Sequence, residues 1–131
     1  MFAADLNRAT VGCIHFLESS QLPNVEDIAQ LGLHVGEINA KNVRSKADLL
    51  SAIAKALNFP EYFGHNWDAL DECLRDLEWL SAKGYVLIIR DASEFWRQSA
   101  NLAGKLIEIW LDGDESWLQE NTPFHLIFEL D

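Results

Sequence analysis

Basic residues, cysteine and proline are scarce in this sequence. Ten Lys and Arg stand against 21 Asp and Glu, which gives a formal net charge of -11 at pH 7. An excess of negative charge this large argues against direct binding to nucleic acid or to anionic membranes, because both would repel it. It favours a basic partner if the charge has a function, and solubility alone is the alternative. The positions of the acidic residues must distinguish the two.

Two cysteines, Cys13 and Cys73, are too few for a disulfide framework in a chain of this size, so we predict that both are free thiols. No apolar run reaches the roughly 20 residues that a membrane-spanning helix needs. The N-terminus also lacks the basic start and the small-residue cleavage site of a secretory signal. We therefore expect a cytoplasmic protein that is monomeric when free.

The motifs of common enzyme sites are missing as well. The sequence has no Gly-rich phosphate loop and no nucleophile elbow. His65, Asp68 and Glu72 have the spacing His-x-x-Asp-x-x-x-Glu, which matches no strong metal-site pattern. We expect no enzymatic activity, no metal and no cofactor. An acid–base pair formed by Asp68 and Glu72 is the enzymatic alternative.

The order of apolar patterns predicts the fold. Residues 33–38, 85–89 and 124–130 predict strands, and helical patterns lie between them. Strands separated by helices pair in parallel through right-handed crossovers. We predict an α/β fold in which a three-stranded parallel sheet packs against about four helices, with residues 85–89 at its centre. No linker interrupts the chain, so residues 1–131 form one domain, and residues 1–32 are an N-terminal extension of uncertain structure.

Within the extension, the pattern suggests a short strand near residues 11–17 and a short helix near residues 25–31. Later in the chain, Ser45 is predicted to cap a helix that Pro60 ends. Gly64 is predicted to take the left-handed conformation that turns the chain into the next helix. The Gly113 region is expected to interrupt the last helical pattern.

Residues 59–77 combine a turn, a helix and many carboxylates. Asn66 is a good N-cap, and the residues after it form an apolar stripe at helical spacing: Trp67, Leu70, Leu74 and Leu77. At about 100° per residue the opposite face gathers Asp68, Glu72 and Arg75, with Asp71 and Asp76 on its flanks. The exposed side of this helix is therefore predicted to be acidic.

The segment Phe59-Pro-Glu-Tyr-Phe-Gly-His-Asn-Trp-Asp-Ala-Leu-Asp-Glu-Cys-Leu resembles the signature of the barstar family, whose members inhibit the ribonuclease barnase. The resemblance extends more loosely from the strand near Leu33 to the terminal strand and leaves out residues 1–32. It implies a three-stranded parallel sheet with helices. It also implies an inhibitor whose acidic helix and preceding loop plug the active site of a basic ribonuclease.

Carried over position by position, the resemblance implies partner contacts at Tyr62, Gly64, Asn66 and Asp68. Two positions depart from the family pattern: Glu72 stands in place of a central aspartate, and Asp71 in place of an interface tryptophan. These departures keep the inhibitor hypothesis but count against barnase itself as the partner. The predicted partner-binding set is Tyr62, Gly64, Asn66, Asp68, Asp71, Glu72, Arg75 and Asp76, with Glu115 and Glu120 as candidates for a supporting acid from a later helix.

A ribonuclease site binds phosphate through Arg, Lys and His, so carboxylates held on a helix can take the phosphate positions. We therefore predict an intracellular inhibitor of a basic ribonuclease, of the immunity or antitoxin type. A module of the same fold that binds another basic protein or toxin is the alternative. For Asp68 a simple role in the helix dipole stays open, and Tyr62 can also serve in packing.

Overall fold

A four-stranded parallel sheet forms the centre of the protein. The computed structural model describes residues 5–130, and residues 1–4 of the extension lie outside this range. The strands are β1 (Ile14–Glu18), β2 (Leu33–Asn39), β3 (Gly84–Arg90) and β4 (Phe124–Leu130). Their order is β1-β4-β3-β2, and every neighbouring pair is parallel. The α/β prediction is confirmed, but the sheet has four strands rather than three, because β1 adds to the outer edge of β4.

Helices connect the strands, as parallel pairing requires. Between residues 14 and 130 the α-helices are α1 (Val25–Gln30), α2 (Lys46–Ala56), α3 (Trp67–Asp76), α4 (Ser93–Gln98) and α5 (Ala100–Gln119). Short 3-10 turns at Ser19–Gln21 and Ala40–Asn42 follow β1 and β2. The number of helices in this range is five, close to the predicted four, and the strand and helix expected before residue 32 are both present.

Different parts of the chain cover the two faces of the sheet. On one face, Leu87 and Leu126 join the main core with apolar side chains of α2, α3 and α5. On the other face lies a second buried cluster, formed by Leu6, Ile28, Leu33, Val86, Ile88 and Ile127. The continuous apolar run of β3 is therefore explained by burial on both faces. The second face is covered by α1 and by the residues that precede β1.

Two helices begin at the predicted caps. Ser45 Oγ accepts a hydrogen bond from the Asp48 backbone N–H at 3.1 Å, and Asn66 Oδ1 accepts one from Ala69 N–H at 2.7 Å. Each bond satisfies a backbone donor that has no partner within the helix, and such a cap is worth about 1 kcal/mol. Both N-cap predictions are confirmed.

Three predictions about helix ends and turns are wrong. Helix α2 ends at Ala56, before Pro60, and Asn58 turns the chain with a φ of 53°. Gly64 does not take the left-handed conformation; His65 takes it with a φ of 52°. The His65 ring stabilises this turn, because it packs on Phe63 with 4.7 Å between ring centroids.

Gly113 does not interrupt the last helix, which is the third wrong prediction. Helix α5 runs through it, and a Cβ atom built at this position would lie 3.4 Å from the Phe124 ring. The missing side chain lets α5 approach β4, where the Trp110 and Phe124 rings stack with 4.0 Å between centroids. The glycine thus serves close packing rather than helix termination.

Candidate functional site

Aromatic side chains anchor the loop between α2 and α3. The Phe59 ring meets Phe63 and Trp79 edge-on, with centroid distances of 4.9 and 5.8 Å. Trp79 Nε1 donates a hydrogen bond to the Leu57 carbonyl at 2.9 Å. Phe63 is buried, whereas the side chain of its neighbour Tyr62 is 75% exposed. Buried and half-buried aromatic side chains therefore fix the loop, while Tyr62 remains accessible to solvent.

Asn66 and Gly64 form the junction between this loop and α3. Besides capping the helix, the Asn66 amide donates from Nδ2 to the Gly64 carbonyl at 3.3 Å. A Cβ atom at Gly64 would come within 3.3 Å of the same Nδ2 atom. Both residues are exposed, but the amide oxygen and nitrogen of Asn66 already have partners in the free protein. Their main effect is to fix where α3 starts relative to Tyr62.

Helix α3 lies with its apolar stripe in the main core. Leu70, Cys73 and Leu74 are buried, and Leu77 is buried too, although it follows the helix with a left-handed φ of 50°. Trp117 Nε1 of α5 donates to the Leu74 carbonyl at 2.8 Å. The end of α3 is therefore held by α5, against which it packs closely.

The exposed side of α3 presents three acids one turn apart, which we call the acidic ridge: Asp68, Glu72 and Asp76. Asp76 Oδ1 accepts a hydrogen bond from the Glu78 backbone N–H at 3.3 Å. Within residues 5–130, no hydrogen bond or ion pair engages the carboxylates of Asp68 and Glu72. These two charges are available to a partner without breaking any contact of the fold.

Asp71 and Arg75 bind each other beside the ridge. Arg75 Nε donates to both carboxylate oxygens of Asp71 at 3.1 and 3.2 Å, and Arg75 Nη1 donates to Ser116 Oγ of α5 at 3.1 Å. The side chains of Arg75 and Asp71 are 39% and 37% exposed, respectively. This flank of α3 is a neutralised pair fastened to α5, so the predicted site divides into an acidic part and an ion-paired part. No sequence pattern indicates Ser116, because it lies 41 residues from Arg75.

Tyr62 lies near the Asp76 end of the acidic ridge. Desolvation of the hydroxyl, and then the nearby charge of Asp76, raise the pKa of Tyr62 above its ordinary value. The hydroxyl therefore stays protonated at neutral pH and can donate a hydrogen bond to a partner. Tyr62, Asp76 and the two remaining ridge acids thus form one continuous polar surface.

Glu115 and Glu120 are both exposed near this surface. Glu115 precedes Ser116 on α5, close to the Asp71–Arg75 pair. Glu120 follows the end of α5, and burial, the charge of Glu120 and then that of Asp76 raise the pKa of Tyr85. Since Glu120 and Asp76 act on the same hydroxyl, Glu120 extends the acidic surface at the far end of α3.

Cations border the beginning of α3 instead. Lys46 Nζ lies 5.3 Å from the centroid of the Trp67 ring, and Lys105 Nζ is 3.6 Å from Glu108 Oε1. A shallow groove of about 230 Å³ between α3 and α5 runs past Trp67, Arg75 and Lys105. Cationic side chains therefore lie beside the Asp68 end of the acidic ridge.

Residues 5–130 contain no group of three or more His, Cys, Asp or Glu side chains that could hold a metal ion. In the same range, no helix is both long and apolar enough to span a membrane.

A model of the protein family described as Barstar (barnase inhibitor) matches residues 33–129, well over half of the chain. The matched part begins with β2 and includes the loop, the acidic ridge and most of β4. Strand β1 and helix α1 lie outside it.

Proposed function

Because the chain belongs to the barstar family of barnase inhibitors, we propose that it inhibits a basic ribonuclease, as an immunity protein or antitoxin. The acidic ridge and Tyr62 would enter the enzyme's active site. The observation that supports this most is the row of exposed carboxylates on α3, two of which have no hydrogen bond or ion pair among residues 5–130. Residues four apart on a helix are separated by about 6 Å along its axis. The ridge therefore offers a line of negative charges, which is what a ribonuclease binds in RNA.

The energetics of the ridge also support a role in binding. Carboxylates four residues apart repel each other and destabilise a helix by about 0.2–0.5 kcal/mol per pair. Arg and Lys of a partner would relieve this repulsion through charge-assisted hydrogen bonds. Asp68 in the first turn favours the helix dipole, but Glu72 and Asp76 lie beyond that turn and gain nothing from it.

A second candidate function rests on the Asp71–Arg75 pair. The family pattern has a tryptophan where this chain has Asp71, and Arg75 places a cation where a basic enzyme would be met. A partner matched to this flank must accept a polar, ion-paired surface, so barnase itself is a poor candidate. A module of the same fold that binds another basic protein or toxin is the alternative. We also propose that the protein is cytoplasmic, since its two cysteines are free and buried.

Calorimetry against the basic secreted ribonucleases and the small basic toxins of the source organism tests the proposal. The double variant Asp68→Asn/Glu72→Gln removes two charges from the ridge. The control Glu26→Gln/Asp27→Asn makes the same charge change on α1, across the sheet. We expect the ridge variant to lose binding and the control to keep it. Equal binding by both would place the interface elsewhere, and binding only to a toxin that is not a ribonuclease would favour the second function.

A further inference from the structure

The N-terminal segment, which we define as residues 5–13, starts on the second face of the sheet and ends at Cys13 in the main core. It precedes the part of the chain that matches the family model. Leu6 is fully buried with Val86 and Ile127 of the central strands. At the other end of the segment, Cys13 is buried and its carbonyl accepts a hydrogen bond from Leu126 N–H at 2.9 Å. Removing the segment would expose apolar side chains of β3 and β4 to water.

Two histidines connect this segment to the sheet. His125 of β4 is only 1% exposed, and its Nε2 atom lies 2.9 Å from the carbonyl oxygen of Arg8. Its Nδ1 atom lies 2.9 Å from Nε2 of His15 in β1, and the two ring centroids are 5.1 Å apart. The chain of contacts therefore runs from β1 through β4 to the backbone of the N-terminal segment.

The geometry determines the protonation of His125. A carbonyl oxygen only accepts hydrogen bonds, so His125 Nε2 carries the proton that it donates to Arg8. In the neutral ring Nδ1 is then an acceptor, and His15 Nε2 donates to it. Protonation of both rings turns the two facing atoms, His125 Nδ1 and His15 Nε2, into donors and gives both rings a positive charge. Double protonation thus breaks the contact between the rings.

We propose that His15 and His125 form a pH-sensitive latch. When both rings are neutral, they hold the N-terminal segment on the sheet. When they are protonated, the segment detaches and exposes the part of the second apolar face that it covers, while the part of the chain that contains the acidic ridge stays folded. This inference concerns the opposite side of the sheet from α3 and does not depend on the proposed inhibitor function.

The pKa shifts agree with this direction. Burial, and then the neighbouring His125, lower the pKa of His15 to about 4, and burial lowers the pKa of His125. Detached rings would titrate near the ordinary value of about 6.5, so the detached state binds more protons. The stabilisation from the neutral rings is therefore complete above that ordinary value and is lost as the pH falls toward 4.

Other charged groups also face the segment. Asp5 lies near His15, and its charge opposes the lowering of the His15 pKa, while Arg8 lines the cavity beside both rings. At the end of the segment, burial raises the pKa of Asp114 to about 6, and Asp114 hydrogen-bonds with Cys13. Because the pKa of Asp114 is higher when the segment is attached, a fall in pH stabilises the attached state through this group. The Asp114 contact therefore opposes detachment of the segment in acid. A test must therefore separate the histidines from Asp114.

Hydrogen exchange measured by mass spectrometry on the full chain at pH 7.5 and pH 5 separates these effects. Exchange rates are divided by the intrinsic rate at each pH, so that only protection is compared. His125→Gln keeps one donor and one acceptor in the side chain but cannot titrate. His34→Gln is the matched control, because His34 Nε2 also contacts a backbone carbonyl, that of Ala56 at 3.1 Å, and lies on β2.

For the unmodified protein and for His34→Gln, protection of residues 5–13 should fall at least about tenfold at pH 5, the change that one pKa unit allows. Protection of β3 should persist. In His125→Gln the fall should be smaller, because only His15 still titrates. In His15→Gln/His125→Gln it should vanish, and Asp114 should make protection slightly greater in acid. If His125→Gln does not fold, His15→Gln replaces it, since it also keeps a donor. An equal fall in the histidine variants, no fall in the unmodified protein, or a parallel loss across β3 would overturn the latch.

Discussion

At the residue scale, the contacts of each acidic side chain determine whether it contributes to partner binding or to stability. Asp68 and Glu72 have no hydrogen bond or ion pair among the described residues, although Asp68 in the first turn favours the helix dipole. Asp71 is engaged by Arg75, and an exposed pair of this kind adds only about 0.3–0.5 kcal/mol to stability. Asp114 differs from all of them, because it is 2% exposed and its Oδ1 atom is buried without a hydrogen-bond partner among the described residues.

Replacing Glu72 by Ala should weaken the complex with the ribonuclease by about 2–5 kcal/mol, because a desolvated cation of the partner would lose its counter-charge. The free energy of unfolding of the free protein should change by less than about 0.5 kcal/mol, as for other exposed residues. Calorimetry and urea denaturation measure the two quantities, with Asp27→Ala as the control. Unfolding of the variant with unchanged affinity per folded molecule would make Glu72 a structural residue.

Asp114→Asn should stabilise the protein at pH 8 by about 1–3 kcal/mol, since a buried carboxylate is replaced by a neutral amide. Burial raises the pKa of Asp114 to about 6, so the folded state holds its proton more tightly than the unfolded state does. Stability is therefore lost as the pH rises from the ordinary value of about 3.9 through 6. Urea denaturation of both proteins between pH 4 and pH 8 tests this. A difference that does not grow with pH would contradict it.

At the scale of single elements, α3 owes its fixed position to its two ends. Asn66 holds the first turn, and Trp117 binds the Leu74 carbonyl near the last. Between these points the apolar stripe is buried, so the acidic ridge cannot turn away from solvent. Binding therefore requires little ordering of the helix, which favours affinity.

Asn66→Ala should cost about 1 kcal/mol of stability, the usual value of a lost N-cap, and it should also weaken the complex because the first turn and the loop lose their fixed geometry. The matched control is Asn24→Ala, which removes the cap of α1, where Asn24 Oδ1 accepts from Glu26 N–H at 2.7 Å. The control should lose similar stability in thermal denaturation and bind normally in calorimetry. Equal losses of affinity in both variants would show that Asn66 acts only through stability.

At the scale of the whole molecule, the excess of acidic residues affects how fast a partner approaches. The net charge of -11 is large for 131 residues, and its unpaired part includes the acidic ridge. The electrostatic field of such a protein accelerates the approach of a basic partner. Salt shortens the Debye length over which the field acts, from about 30 Å at 0.01 M to about 10 Å at 0.1 M.

The association rate with the ribonuclease should therefore fall by about tenfold or more between low and physiological ionic strength, while the dissociation rate changes less. Stopped-flow fluorescence at several salt concentrations measures both rates. Asp68→Asn/Glu72→Gln should show a flatter dependence than Glu26→Gln/Asp27→Asn. An association rate that does not respond to salt would remove the argument from phosphate mimicry.

The sequence by itself determined the features that depend on neighbouring residues. The spacing of Leu70 and Leu74, the caps at Ser45 and Asn66 and the apolar run of β3 act within one or two turns or one strand, so their patterns can be read directly. The acidic side of α3 follows from the same periodicity. The resemblance around Tyr62 indicated the family that the comparison confirmed.

Only the tertiary structure decided which distant residues meet. It placed β1 at the edge of β4, joined Arg75 to Ser116 across 41 residues and joined His15 to His125 across 110. It also showed that Gly113 serves contact with Phe124 rather than a helix end. The physical reason is that strand order, helix packing and the pairing of buried polar groups depend on long-range contacts, whereas periodicity and capping record only the local environment of each residue.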